Sequence, residues 1–143
     1  MKIVVPLDMS DVAARAIQPA ADIARGVGDQ VVLVTVSGAR LRNDLRTTAE
    51  SEGVEVVDMI EQYLESTASE LEGIDVSHRL IPGETAAGAL VDFAASEGDV
   101  RMMVMATHGR TGFERWRLGN VTEKVVRHAT IPVLVVPTRE PSS

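Results

Sequence analysis

The sequence predicts an α/β fold: a single Rossmann-like, doubly wound sandwich with a five-stranded parallel sheet in the order 3-2-1-4-5 and helices on both faces. Two observations lead there. Apolar runs recur without polar alternation, as in Lys2 to Leu7, Gln30 to Ser37 and Ile131 to Val136, and such runs belong to strands covered on both faces. Between them lie segments whose apolar residues return every three or four positions, the mark of helices burying one side. Strands and helices in alternation make βαβ units and hence a parallel sheet. A chain of 143 residues fits one domain spanning residues 1–143 and can bury a core without disulfide or metal staples.

Lys2 to Leu7 (KIVVPL) reads as the first strand. Ser10 to Gly26 reads as a helix capped by Ser10 or Asp11, with Val12, Ala13, Ala16, Ile17, Ala20, Ile23 and Ala24 forming the inward stripe. Pro19 is expected to bend it, and Gly26 and Gly28 to end it. Gln30 to Ser37 is a second strand rich in β-branched residues. A polar connection from Gly38 to Arg46 leads to a helix over about Val54 to Glu72, with Val57, Ile60, Leu64, Ala68 and Leu71 on one face. From Glu50 onward this region holds eight acids and no base, the pattern of a solvated outer face rather than an acidic docking surface. Ile74 to Ile81 is the third strand, Pro82-Gly83 a turn, and Thr85 to Ser96 a helix with Ala89, Leu90, Phe93 and Ala94 inward. Met102 to Ala106 is the fourth strand. The glycine-bearing loop Thr107 to Gly119 precedes a helix from Val121 to about His128, and Ile131 to Val136 forms the fifth strand.

Composition narrows the function classes. A net charge of −7 argues against general attraction to phosphate backbones or anionic lipid, and 3% aromatic residues leave few platforms for stacking bases. The absence of cysteine excludes thiolate chemistry and disulfides. No signal peptide or membrane span is apparent, so a cytoplasmic location is the expectation. Charge is unevenly spread. Arg101, Arg110, Arg115, Arg117, Lys124 and Arg127 face only Glu114 and Glu123 between residues 101 and 130. A basic island in an acidic chain suits a site for a small anion.

In a doubly wound sheet, ligands bind beyond the carboxyl ends of the strands where strand order reverses. If the order is 3-2-1-4-5, that crevice lies between strands one and four, walled by Pro6-Leu7-Asp8 and by Ala106-Thr107-His108-Gly109. Neither a Walker-type Gly-Lys-Ser/Thr nor a GxGxxG after the first strand is present. Instead, Gly109-Arg110-Thr111-Gly112 and Gly119-Asn120-Val121-Thr122-Glu123 bring two glycine turns and a helix start to one place. Backbone N–H groups there can approach a phosphate closely, with the positive end of the helix dipole behind them. Asn120 reads as the helix N-cap, with Glu123 completing a capping box. Asp8 either caps the turn after the first strand or accepts from a ribose hydroxyl or adenine amino group. His78 and His128 read as surface residues; His108 alone sits in the crevice, contacting a ligand or shaping the loop. Phe113, Trp116 and Leu118 are expected to pack the loop onto the body. No hydrolytic triad can be assembled: there is no GxSxG elbow.

Beyond these readings, the sequence resembles the universal stress protein family. Met105 to Gly112 (MATHGRTG), Gly119 to Val125 (GNVTEKV) and Ile131 to Pro137 (IPVLVVP) carry the likeness. Val5 to Asp8, Leu33 to Val36 and Pro82-Gly83-Glu84 support it. ATP-binding members of that family carry Gly-x2-Gly-x9-Gly-Ser/Thr across this loop. The matching positions here are Ala106, Gly109, Gly119 and Asn120: the spacing is kept, while Ala106 replaces the first glycine and Asn120 the Ser/Thr. The resemblance implies that Asp8 and Val36 contact the adenine or ribose, and that Leu7 and Met105 line the base pocket. It also implies that Gly109, Arg110, Gly119, Asn120 and Val121 hold phosphates, with Pro6, Ala106, His108, Gly112 and Thr122 beside them. ATP or another adenine nucleotide, with Mg2+ accompanying the triphosphate, is the implied ligand, and a two-fold homodimer through the fifth strand (Ile131 to Val136) the implied assembly. The function expected is a nucleotide-binding regulatory or sensing module in the stress response, without fast turnover. The departures at Ala106 and Asn120 keep open a non-nucleotide-binding protein-interaction module of the same fold. A nucleotide-activating enzyme would need a second substrate domain.

Overall fold

In the computed structural model, which describes residues 1–37, 53–109 and 119–139, the central strand β1 (Lys2–Pro6) pairs in parallel with β2 (Gln30–Ser37) and β4 (Val100–Gly109). β3 (Val76–Pro82) extends the sheet beyond β2, and β5 (Val133–Arg139) beyond β4. The order is β3-β2-β1-β4-β5, as the sequence predicts.

Alternation along each strand divides the core in two. Ile3, Val5 and Leu7, with Val31 and Leu33, face α2 (Ile17–Val27) and α3 (Gly53–Ser69), which contribute Ile17, Ala20, Ala24, Ile60 and Leu64. Val4, Val32, Val34, Met103 and Met105 face α4 (Ala86–Glu97) and α5 (Asn120–His128), where Leu90, Phe93 and Val125 meet them. Each fully buried aliphatic side chain contributes about 1.5–3 kcal/mol of transfer free energy, so strands buried on both sides hold most of the stability. The acids Asp58, Glu61, Glu65, Glu70 and Glu72 are all exposed, the solvated face read from the sequence.

Several sequence boundaries need correction. The helix expected over Ser10 to Gly26 is two helices: α1 (Asp11–Ala14), capped by Ser10 Oγ accepting the Ala13 N–H at 3.1 Å, and then α2. Pro19 does not bend a helix interior. It lies in the first turn of α2, where a backbone N–H has no intrahelical acceptor and its loss is harmless. Gly28, at φ 76°, is the residue that stops α2. Val57 is turned outward rather than onto the core face, and in α4 Ala87 joins Leu90, Phe93 and Ala94 in the core, with Ala89 only half-buried. β4 is longer than expected at both ends, and β5 begins two residues after Ile131 and runs three past Val136.

The register explains where the sheet opens. β1 and β2 stay paired through Pro6↔Val34, but the β1–β4 ladder ends at Val4↔Met103. Pro6 has no N–H to donate, so the central strand loses a ladder donor just where the β1–β4 pairing ends. β4 meanwhile continues beside β5 to Gly109↔Arg139. β1 and β4 therefore part beyond Val4, and the gap is the crevice.

Candidate functional site

A cleft of about 230 Å³ occupies that gap. Of the residues singled out from the sequence, Pro6, Leu7, Asp8, Val36, Met105, Ala106, Val121 and Thr122 line it. Its floor comes from the ends of β1, β2 and β4, and its rim from the start of α5. Met9, Ala13, Val34, Thr35, Ile60, Ala86 and Leu90 complete the lining and were not anticipated. Helix residues such as Ile60 and Leu90 read in sequence as plain core positions; only the packing of α3 and α4 against the strand ends brings them to the cleft. Thr35 is a single hydroxyl inside the aliphatic stretch Val31 to Val36, the signal in the sequence that sets it apart.

The start of α5 is built differently from the sequence reading. Gly119 (φ −61°, ψ 159°), not Asn120, occupies the cap position, and among the described residues no side chain caps the helix. Asn120 is the first helical residue, so the capping box with Glu123 does not form; Glu123 pairs instead with Arg127 at 2.9 Å. The reason lies in the tertiary fold. Thr107 Oγ1 at the end of β4 accepts the Gly119 N–H at 2.9 Å, which sets the helix start one residue early. Thr138 Oγ1 in turn donates to the Thr107 carbonyl at 2.9 Å, tying β5 to the same point. Among the described residues the first N–H groups of α5 thereby have no side-chain cap, at the positive end of a helix dipole and on the rim of the cleft.

Asp8 performs the structural role considered for it. Its Oδ1 accepts from the Ser10 N–H at 3.0 Å and from the Ser10 hydroxyl, which in turn caps α1. Among the described residues no hydrogen bond uses Asp8 Oδ2. Met9, next along, has φ 72°, a left-handed conformation uncommon for a residue with a Cβ. Ala106 is not among the residues with positive φ, so the methyl that replaces a glycine there carries no backbone strain. His108 and Gly109 end β4. Arg110, Gly112, Phe113, Trp116 and Leu118, and the connection over Gly38 to Arg46, lie outside the described residues.

Two larger hollows are less suited to an anion. A groove of about 450 Å³ beside Gly83, Thr85 and Phe93 includes Glu84 and Asp92, and the helix start there is already capped by Thr85 Oγ1 on the Gly88 N–H. The other, about 330 Å³, lies at the opposite end of the sheet around Asp29, Arg25 and Asp75. Neither is at the strand-order reversal. No described helix is long and apolar enough to cross a membrane. No cluster of three or more metal-ligating side chains occurs among the described residues.

The sequence profile of the Universal stress protein family matches residues 1–137. The chain belongs to the universal stress protein family. Universal stress protein MJ0531 of Methanocaldococcus jannaschii is 31% identical over 144 residues, an alignment covering 94% of this chain and 81% of that relative. The solved structure of hypothetical protein MJ0577, from the same organism, superposes with a TM-score of 0.79 at 27% identity, over 99% of this chain and 97% of the other. The universal stress protein from Archaeoglobus fulgidus, solved in complex with dAMP, superposes with a TM-score of 0.68 at 26% identity, over 94% of this chain and 96% of the other. For this universal stress protein, the shared sheet order is what places the crevice between β1 and β4.

Proposed function

We propose that this universal stress protein binds an adenine nucleotide, ATP or a close relative, in the β1–β4 cleft and acts as a regulatory or sensing module in the stress response, without fast turnover. The observation that carries the reading is the joining of two unlike surfaces in one cleft. The apolar residues Leu7, Ala13, Val36, Ile60 and Met105 suit a base and sugar, and the uncapped start of α5 suits phosphate. At about 230 Å³, the cleft lies below the roughly 300 Å³ at which ligand sites begin, so it suits the nucleoside with the phosphates extending past α5. The dAMP complex of the Archaeoglobus fulgidus relative supports the same class of ligand. Gly109, Gly119, Asn120 and Val121 are the groups assigned to phosphate, with Arg110 and Gly112 following in the loop. Asp8 Oδ2 is assigned to the ribose or the base. Mg2+ enters with the triphosphate, held by phosphate oxygens. One domain covers residues 1–143 in this reading.

Self-association belongs to the same proposal. β3 and β5 are the outer strands of the sheet; β3 presents exposed Ser77, His78 and Arg79, whereas β5 presents Leu134, 40% exposed. An apolar edge invites a partner strand. On this reading the protein is a homodimer through β5; Val135→Lys is expected to weaken it, and light scattering that shows wild type as a monomer at micromolar concentration overturns the assembly.

The decisive experiment denatures the purified protein and identifies any released nucleotide by mass spectrometry, then titrates ATP with Mg2+ into stripped wild type and Gly109→Asp. Binding by wild type and its loss in the variant supports the reading. Absence of binding up to millimolar ATP overturns it in favour of a dimeric protein-interaction module.

A further inference from the structure

Among the described residues, one buried side-chain oxygen has no hydrogen-bond partner: Thr35 Oγ1. Thr35 is 2% exposed and belongs to the cleft lining. Strand alternation puts its side chain on the face of Val31 and Leu33, where Leu7, Ala13 and Ile60 form the cleft wall. The residues before it in β2 from Val31 on, and Val36 after it, are aliphatic, while Ser37 beyond them has its hydroxyl paired with the Ile81 carbonyl at 3.3 Å. Valine has nearly the same shape as threonine and carries no hydroxyl to desolvate, so a purely structural position here is better served by valine. The hydroxyl is a cost in the empty cleft that a ligand atom can remove.

Its place along the cleft limits which part of a ligand it meets. β2 is separated from β4 by β1, two strand spacings or about 10 Å, and α5 begins near the end of β4 through the Thr107–Gly119 bond. A ligand with phosphate at the start of α5 has its far end at β2.

We propose that the Thr35 hydroxyl hydrogen-bonds the nucleoside end of the bound nucleotide and helps select it. This inference rests on the adenine-nucleotide reading above. The test is calorimetric titration of adenosine, AMP and ATP into wild type, Thr35→Val and Thr35→Ser, with thermal melts of the ligand-free proteins. Thr35→Val is expected to weaken all three ligands by about the same factor, roughly fivefold to tenfold, the worth of one hydrogen bond. Thr35→Ser stays within about threefold of wild type. Ligand-free Thr35→Val melts at or above wild type, a gain that a structural hydroxyl does not give. Equal affinity of wild type and Thr35→Val, a loss confined to ATP, or a lower melting temperature of ligand-free Thr35→Val overturns the assignment. The wild-type titration separates the two readings: no binding of any adenine ligand overturns nucleotide binding, and this inference with it, whereas binding that ignores Thr35→Val overturns only the role of Thr35.

Discussion

Thr107 Oγ1 accepts the backbone N–H of Gly119 at 2.9 Å, joining the end of β4 to the start of α5 across twelve residues. This one bond fixes the separation of Thr107 and Gly119, and with it the start of α5 at the rim of the cleft. Thr107→Val is expected to lower stability by about 1 kcal/mol, since the exposed Gly119 amide can turn to water. It should weaken ATP more than adenosine. Thr107→Ser restores both. Urea denaturation together with calorimetry of the two ligands checks this.

Gly119 itself is not needed for backbone freedom. Its φ of −61° is open to any residue, and an added Cβ meets Thr107 Oγ1 at an ordinary 3.5 Å. Gly119→Ala is therefore expected to melt within a degree or two of wild type. Any loss of ATP affinity in that variant then reports close approach of the phosphates to this backbone.

Gly83 is the opposite case. A Cβ built there lies 2.4 Å from the Ala89 Cβ, because the turn after β3 packs directly on α4. Gly83→Ala is expected to destabilise by about 1–3 kcal/mol through overpacking. Ala89→Gly in the same chain recovers part of the loss, less the roughly 1 kcal/mol that glycine costs inside a helix. A double-mutant cycle in urea measures the coupling.

At the other end of the sheet, Arg101 binds the buried carboxylate of Asp29 through Nε, and through Nη2 at 3.3 Å. The register of β1 against β4 shifts at this point, from Lys2↔Val100 to Ile3↔Met102, which leaves Arg101 as the extra residue. The guanidinium holds the Asp29 carboxyl below its usual value of 3.8, against the opposing effect of burial. A carboxyl depressed in the folded state stabilises fully above its unfolded value, and that contribution is lost as pH falls from there through the folded value. Asp29→Asn is expected to melt several degrees below wild type near neutral pH. The gap should close as the pH drops below about 3.8, and melts across an acid series follow it.

Met9 holds a left-handed backbone beside the cleft. That conformation costs a residue with a Cβ about 1–2 kcal/mol, and glycine there gives back about 0.5–1 kcal/mol in unfolded-state entropy. Met9→Gly is thus expected to raise stability by about 0.5–1 kcal/mol, read as a higher urea midpoint.

The alternation of strands and helices and their layering were legible in the sequence because they follow from local patterns, whereas the sheet order, and with it the position of the crevice, rests on the fold class those elements imply. Continuous apolar runs mark strands buried on both faces, and three-to-four spacing marks the helices between them. Half of the cleft lining was legible as well, since Pro6-Leu7-Asp8, Val36, Met105-Ala106 and Val121-Thr122 sit at strand ends or a helix start that chain order alone brings together. Ala13, Ile60 and Leu90 reach the cleft only through the packing of helices, which no local pattern encodes. The N-cap of α5 went to Gly119 rather than Asn120 because a hydroxyl twelve residues away claims the Gly119 amide, a long-range bond that outweighs the side-chain preference at the cap. The break between α1 and α2 likewise put Pro19 in a first turn, where sequence periodicity had read one bent helix.

By itself, then, the sequence determined the family and the parallel sheet, for these depend on residue type and spacing along the chain. Only the tertiary structure decided that β1 and β4 part after Val4, that α5 begins uncapped, and that Thr35 keeps an unpaired hydroxyl inside the cleft. Each of these depends on which donor meets which acceptor across the fold. That is a property of positions in space, and residues far apart in the chain settle it together.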